Sequence, residues 1–335
     1  MKVAVIGCGT MGEAHAREWI RIHGVHLAGV CDPIAEKAAK VAGVCRTDAF
    51  CSFDEMMSTV KPDVVDICLP THMHKEYTVR AAELGKHVIC EKPISNTVAD
   101  GLEMIDACKR HGVGLYIGHV TRFGRQYSDA HKKIKSGAIG NVGIAHTRRY
   151  GGYPGIRKEW YADRKLSGGV IMDLMIHDID FVCWVLGDVQ SVFAQAAGTD
   201  RMEYALVTLR FENGAIANLE SMWGYTGPFT TRFEFAGSEG LIRSHSDESG
   251  TLTLHTATNK GHAEQVDRYI NQHWELMHFI DCIRSGNQAV IAPEEALRNV
   301  EIAHAALQSI ETGKRVVVSD QMIPAKHAIS KEAGA

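Results

Sequence analysis

The 335-residue chain has no apolar run approaching the ~18 residues that a membrane helix needs, so a spanning protein is not expected. It has no basic excess either. Thirty-six Lys and Arg stand against 40 Asp and Glu, a formal charge of −4, and no basic stripe of the kind that binds nucleic acid is visible. None of the nine cysteines forms a C-x-x-C pair, and several lie inside apolar runs such as Val65-Asp66-Ile67-Cys68-Leu69. Reduced, buried thiols are therefore expected, not a disulfide framework or a thiolate zinc site. The opening Met1-Lys2-Val3-Ala4-Val5-Ile6 runs straight into Gly7, too short for the apolar core of an export signal, and a cytoplasmic chain is expected. No internal repeat or low-complexity tract is present. What remains is an ordinary globular balance, 45% hydrophobic and 23% charged, on a chain long enough for about two domains.

Two rhythms divide the chain. Up to about residue 118, short apolar strands at Lys2–Ile6, His26–Cys31, Val64–Cys68, His87–Cys90 and Gly114–Ile117 alternate with amphipathic helical stretches near 11–22, 34–42, 73–84 and 97–110. That alternation predicts a parallel sheet built from right-handed crossovers. After a helix near 125–136 come strand-like runs at about 142–150, 189–197, 204–211, 215–222, 230–236 and 240–244, which predict an antiparallel sheet joined by hairpins. An apolar helix at about 168–186 interrupts them, and helices at about 271–285 and 293–312 close this second part. The expected fold is α/β followed by α+β: a dinucleotide-binding domain over 1–120 and a second domain over 121–335. The tail after Ser319 is small and polar enough to be mobile, or to be an arm onto a neighbour.

Gly7-Cys8-Gly9-Thr10-Met11-Gly12 is a G-x-G-x-x-G run between a strand and a helix, and Asp32 ends the next strand 20 residues beyond Gly12. The first glycine makes the tight turn, the second admits a pyrophosphate, and the third packs helix on strand. The helix N-terminus supplies amide donors. Asp32 would accept the adenosine ribose hydroxyls and repel a 2′-phosphate, favouring NAD over NADP; a turn cap before Pro33 is the alternative reading. Pro70-Thr71 and His74 follow the strand at 64–68, at the carboxyl edge where such sheets bind ligands, so Thr71 and His74 are candidates for the nicotinamide half; helix capping by Thr71 and a surface histidine is the alternative reading. Glu91-Lys92-Pro93 follows the next strand. Its lysine can stabilise charge developing on a substrate oxygen.

The segment from Gly168 to Trp184 is apolar on most of its surface, yet at 100° per residue Asp173, His177, Asp180 and Trp184 share one stripe. On a buried helix such a stripe is either a satisfied polar network or functional. The i, i+4 spacing would let Asp173 orient the His177 ring and support its protonated form. Asp-x-x-x-His-x-x-Asp also offers three metal ligands, but no matching set with zinc spacing occurs elsewhere, and no metal is expected. The preceding loop, Tyr150 to Tyr161, interleaves aromatic and basic residues. Its Trp160 and Arg157 would either meet a sugar ring or belong to an ordinary surface loop.

Taken in order, the glycine-rich turn, the acid at 32, Glu91-Lys92-Pro93, Thr121-Arg122-Phe123 and G-G-x-x-x-D-x-x-x-H-x-x-D resemble the glucose–fructose oxidoreductase / inositol dehydrogenase / MocA (Gfo/Idh/MocA) family over essentially the whole chain. The resemblance implies an N-terminal Rossmann domain and a C-terminal domain with a large open, mostly antiparallel sheet. It also implies hydride transfer between NAD(P) and a carbon of a sugar or cyclitol. By resemblance, Lys92, Asp173 and His177 match the catalytic trio. Gly7, Gly9, Thr10, Met11, Gly12, Asp32, Pro70, Thr71, His74, Glu91 and Lys92 match the cofactor side, while Arg122 and Asp180, with the trio, match the substrate side. The outer face of the second sheet is expected to make a homodimer or homotetramer. Two other classes are implied by family relatives: an NAD-dependent glycosidase that oxidises its sugar transiently, and a non-catalytic dinucleotide-binding regulator.

Overall fold

The computed structural model describes residues 1–156, 159–246, 251–256, 259–265 and 271–318. Six strands come first: β1 (Lys2–Ile6), β2 (His26–Cys31), β3 (Ala49–Phe50), β4 (Val64–Ile67), β5 (His87–Glu91) and β6 (Leu115–Gly118). All pair in parallel, in the order β3-β2-β1-β4-β5-β6. The order reverses between β1 and β4, and it is at such a switch that the carboxyl ends of adjacent strands splay apart and admit a ligand. β1 and β4 are almost wholly buried apolar strands, as expected for a sheet covered on both faces. In this first half, one strand and one α-helix escaped the sequence reading. β3 is only two residues long, below the reach of any periodicity. The helix Phe53–Val60 carried a usable signal, Ser52 three residues ahead of Glu55, and the Ser52 hydroxyl indeed accepts from the Glu55 amide.

The second sheet has nine strands: β7 (Val142–Gly151), β8 (Val189–Thr199), β9 (Met202–Phe211), β10 (Ile216–Trp223), β11 (Thr230–Gly237), β12 (Gly240–His245), β13 (Thr251–Thr256), β14 (Asn259–Gln265) and β15 (Val316–Val317). Their order is β14-β13-β12-β11-β7-β10-β9-β8-β15. β7 and β10 pair in parallel, Ile144 opposite Ile216 through Gly151 opposite Trp223; the other neighbours are antiparallel. Burial alternates along β9 and β10, so one face is packed and the other open. Phe181 from the long apolar helix meets Tyr127, Phe233 and Phe235 edge-on, at ring separations of 4.8, 5.0 and 5.3 Å.

That helix is not continuous. Gly168 and Gly169 take φ of +69° and +70°, and the chain then winds a wide π turn over Ile171–Met175 before regular α-helix at Ile176–Leu186. The helix Asn271–Ser285 also departs from expectation, because it does not close the second sheet. It packs on the helix Thr10–Trp19, where Leu276, Phe279 and Ile280 share a core with Val3, Val5 and Trp19. The helix Pro293–Thr312 lies along β8 instead, its Ser309 hydroxyl accepting from the Ala194 amide at 2.9 Å. All nine cysteines are free thiols, Cys51 exposed and most of the others buried. Among the described residues, no helix is long and apolar enough to cross a membrane.

Candidate active site

At the switch between β1 and β4, Gly7 has φ of +91°, and a Cβ there would press to 2.5 Å from the Cys68 carbonyl oxygen. A Cβ on Gly12 would overlap the Gly7 carbonyl, whereas nothing stands within 4 Å of one on Gly9. The three glycines thus divide as the motif requires, two for close backbone packing and one for open space. The helix Thr10–Trp19 has no side-chain cap, so the orphan amides of its first turn, at Thr10, Met11 and Gly12, are offered to an anion. This cradle fits a dinucleotide pyrophosphate. Asp32 is buried, and its two oxygens accept from the Cys8 and Ile34 amides, both at 2.9 Å. It therefore caps its turn and ties it to the glycine-rich loop, and each oxygen keeps a lone pair for a ribose hydroxyl. Burial, then the charge of Asp32, pushes the Cys8 thiol up to about 12, so it is no nucleophile.

Lys92 leaves the end of β5 and reaches into the second half of the molecule. Its Nζ lies 3.0 Å from Asp173 Oδ1 and 2.8 Å from the Asp173 backbone carbonyl. Asp173 sits in the π turn, a distortion of helices that recurs at functional sites. The turn places its carboxylate on the lysine, and no hydrogen bond joins it to His177, contrary to the i, i+4 expectation. Fewer degrees of rotation accrue per residue in a π turn, so a straight-helix stripe does not carry across Ile171–Met175. The ring nitrogen Nδ1 of His177 instead meets Thr121 Oγ1 at 3.1 Å. Burial, then the positive charges of Lys92 and Arg149, hold the His177 pKa well below 6.5, so the imidazole is neutral at neutral pH. Tyr161 brings its hydroxyl to 3.5 Å from Asp173 Oδ1, and burial, then that carboxylate, raises its phenol pKa. Its ring packs on Trp160 at 3.9 Å with a 30° tilt, and the Trp160 ring lies 6.1 Å from that of His72 on the turn after β4, at 60°. Arg157 lies outside the described residues.

Several expected site residues do other work. Arg122 and Asp180 do not line a substrate surface. They form a buried two-pronged ion pair, Nε–Oδ2 2.9 Å and Nη2–Oδ1 2.8 Å; Arg122 also reaches the Val290 carbonyl and Glu295, and Asn299 donates to Asp180. His74 is buried with Nδ1 2.9 Å from the Pro93 carbonyl and Nε2 2.9 Å from the Leu69 carbonyl, so its one N–H ties it to one of the two cofactor-side loops while its ring packs between them. Glu91 turns inward, its Oε1 3.1 Å from His15 Nε2, while the other nitrogen of that histidine meets Asp66 at 3.0 Å. Trp19 donates to the same Asp66 at 2.6 Å. His15, Asp66 and Cys68 are close enough to hold a metal ion, but hydrogen bonds among them account for that closeness. Pro70 and Thr71 open the short 3₁₀ turn Thr71–Met73 after β4, with Thr71 buried. Thr121 and Tyr161 lie in segments that the sequence singles out, but their contacts at the site were not legible there. Thr121 lies 56 residues from the ring it touches, and no local pattern links the two.

A sequence model described as the oxidoreductase family with an NAD-binding Rossmann fold matches residues 1–119, and the Gfo/Idh/MocA C-terminal domain matches 127–243. This chain belongs to the Gfo/Idh/MocA oxidoreductase family. It is 27% identical to a Thermotoga maritima protein named myo-inositol 2-dehydrogenase, over 96% of this chain and 100% of that one. It is 28% identical to the Bacillus subtilis scyllo-inositol 2-dehydrogenase (NAD(+)), over 94% and 96%. The fold of a levoglucosan dehydrogenase complexed with NADH and L-sorbose superposes with a TM-score of 0.87 over 95% of this chain and 99% of that one, at 21% identity. This Gfo/Idh/MocA oxidoreductase is thus an NAD-dependent enzyme of the dehydrogenase class, and the Lys92–Asp173 pair joins its first half to its second.

Proposed function

We propose that this enzyme oxidises a secondary alcohol of an inositol-like cyclitol or a sugar, reversibly, with NAD. The observation that carries the reading is the Lys92–Asp173 ion pair beside a neutral histidine, with the lysine supplied by the dinucleotide-binding half. The Gly7–Gly12 cradle, Asp32 and the Pro70-Thr71 turn would hold NAD, whose nicotinamide would supply a hydride acceptor. His177 takes the hydroxyl proton, and Lys92 places its positive charge on the same oxygen as the carbonyl forms. Asp173 holds the lysine in position rather than the histidine. The ring faces of Tyr161 and Trp160 beside that centre suit the apolar face of a six-membered ring. In the reverse direction His177 returns its proton.

The relatives named for myo- and scyllo-inositol favour a cyclitol; a relative named D-glucoside 3-dehydrogenase, 29% identical over 94% of this chain and 97% of its own length, keeps sugars in the panel. A 29%-identical relative is named 2,7-anhydro-N-acetylneuraminate hydratase, matching over 79% of this chain and 74% of its own length. It favours, as a second reading, a cycle with no net reduced nicotinamide, the class to which the transient-oxidation glycosidase also belongs. The open face of the second sheet carries the half-exposed Ile144, Ile216 and Phe193, which supports assembly of a homo-oligomer through that face. Absorbance of reduced nicotinamide with NAD, and separately NADP, across inositols, aldoses and aryl glycosides tests the whole reading. A rate with one polyol and NAD supports it. Aglycone release without net NADH, or silence toward every polyol, overturns it.

A further inference from the structure

A neutral imidazole carries one N–H and one lone pair, and only the nitrogen with the lone pair can act as a base. Which nitrogen of His177 this is depends on the partner of the other. The carboxylate expected there, Asp173, is spent on Lys92, and the partner of Nδ1 is the Thr121 hydroxyl at 3.1 Å. Thr121 is buried on the short 3₁₀ turn Val120–Phe123 that follows β6. That turn is held rigidly. Its carbonyl at Thr121 accepts from the Gly124 amide, and the Arg122 amide donates to His119. The Arg122 side chain then clamps Asp180, which sits three residues beyond His177 on the same helix. The buried ion pair thereby sets the distance between the threonine and the imidazole.

We propose that Thr121 is a positioning residue that selects the working tautomer of His177, its Oγ1 accepting from Nδ1–H and leaving the Nε2 lone pair for the substrate hydroxyl proton. The inference rests on the reading of His177 as the proton acceptor. The proton on Nδ1 stays in place throughout; only Nε2 gains and loses one, and the doubly protonated ring keeps the same bond to Thr121. A carboxylate partner would bind the imidazolium far more tightly and resist return of the proton. A hydroxyl acceptor leaves the base weak and the transfer reversible.

The test is ¹⁵N NMR of histidine-labelled protein saturated with NAD, comparing the natural chain with Thr121→Val and Thr121→Ser; His177→Ala assigns the resonance. In the natural chain and the serine variant, Nδ1 is expected to carry the proton. In the valine variant it is expected to shift to Nε2, with kcat on the active polyol falling about 10–100-fold, at the low end of what positioned proton transfer is worth, and KM for NAD within about two-fold. Serine restores kcat. An Nε2–H tautomer in the natural chain overturns the proposal, and that spectrum decides even if the valine variant fails to fold. A valine variant with unchanged tautomer and kcat overturns it as well. If His177→Ala retains full activity, the base assignment falls instead, while the tautomer still reports on Thr121.

Discussion

Replacing Arg122 by methionine separates a structural role from a substrate-binding one. The guanidinium is 3% exposed and its partner Asp180 wholly buried. Without it, Asp180 keeps the Asn299 amide at 2.9 Å and, 3.7 Å away, the buried ring of His119. Removing one member of a buried pair leaves an uncompensated charge and costs about 3–5 kcal/mol. At roughly 2–4 °C per kcal/mol, the melting temperature of the unit holding the pair should fall by about 6–20 °C. The double variant Arg122→Met, Asp180→Leu removes both charges. It should recover most of that loss, short of about 1–3 kcal/mol for the Asn299 donor left behind; Glu295, 22% exposed, keeps access to water. The assay is calorimetry in parallel with KM for the polyol, measured below the transition. A variant that melts normally but shows a raised KM would refute the structural reading and return Arg122 to the substrate pocket.

Gly9→Ala should leave the melting temperature unchanged and weaken NAD by more than ten-fold, because its Cβ enters open space needed by the pyrophosphate; Gly12→Ala, which collides with the Gly7 carbonyl, should lower both, and titration calorimetry beside thermal melts reads the difference. In the oxidative direction His177 must be neutral, and burial with the charge of Lys92 depresses its pKa, so the acid limb of kcat/KM should fall below pH 6.5; a limb at or above that value would contradict the site electrostatics. Asp32→Ser should weaken NAD and improve the NADP-to-NAD ratio, and because Asp32 also anchors the Cys8 amide, absolute affinity for both should drop; an equal drop for the two, with the ratio unchanged, would make it a turn cap alone.

Much of this enzyme was legible in its sequence because the information was local. Strand and helix alternation over residues 1–118, the glycine spacing at 7–12 and the carboxylate 20 residues on are read within a single βαβ unit. The same holds for the lysine after β5 and the polar stripe on a greasy helix, since each is a statement about neighbours in the chain. Tertiary structure decided who meets whom. Asp173 and Lys92 are 81 residues apart, His177 and Thr121 56 apart, Arg122 and Asp180 58 apart. No periodicity spans such gaps. The π turn is decided tertiarily too, and it moved Asp173 from the imidazole to the lysine. Depth below the surface could not be read along the chain either, so Arg122, Asp180, His74 and Glu91, polar residues at ligand-like positions, proved to be buried braces. Burial demands a partner for every charge, and only the folded chain shows whether that partner is another side chain or a ligand.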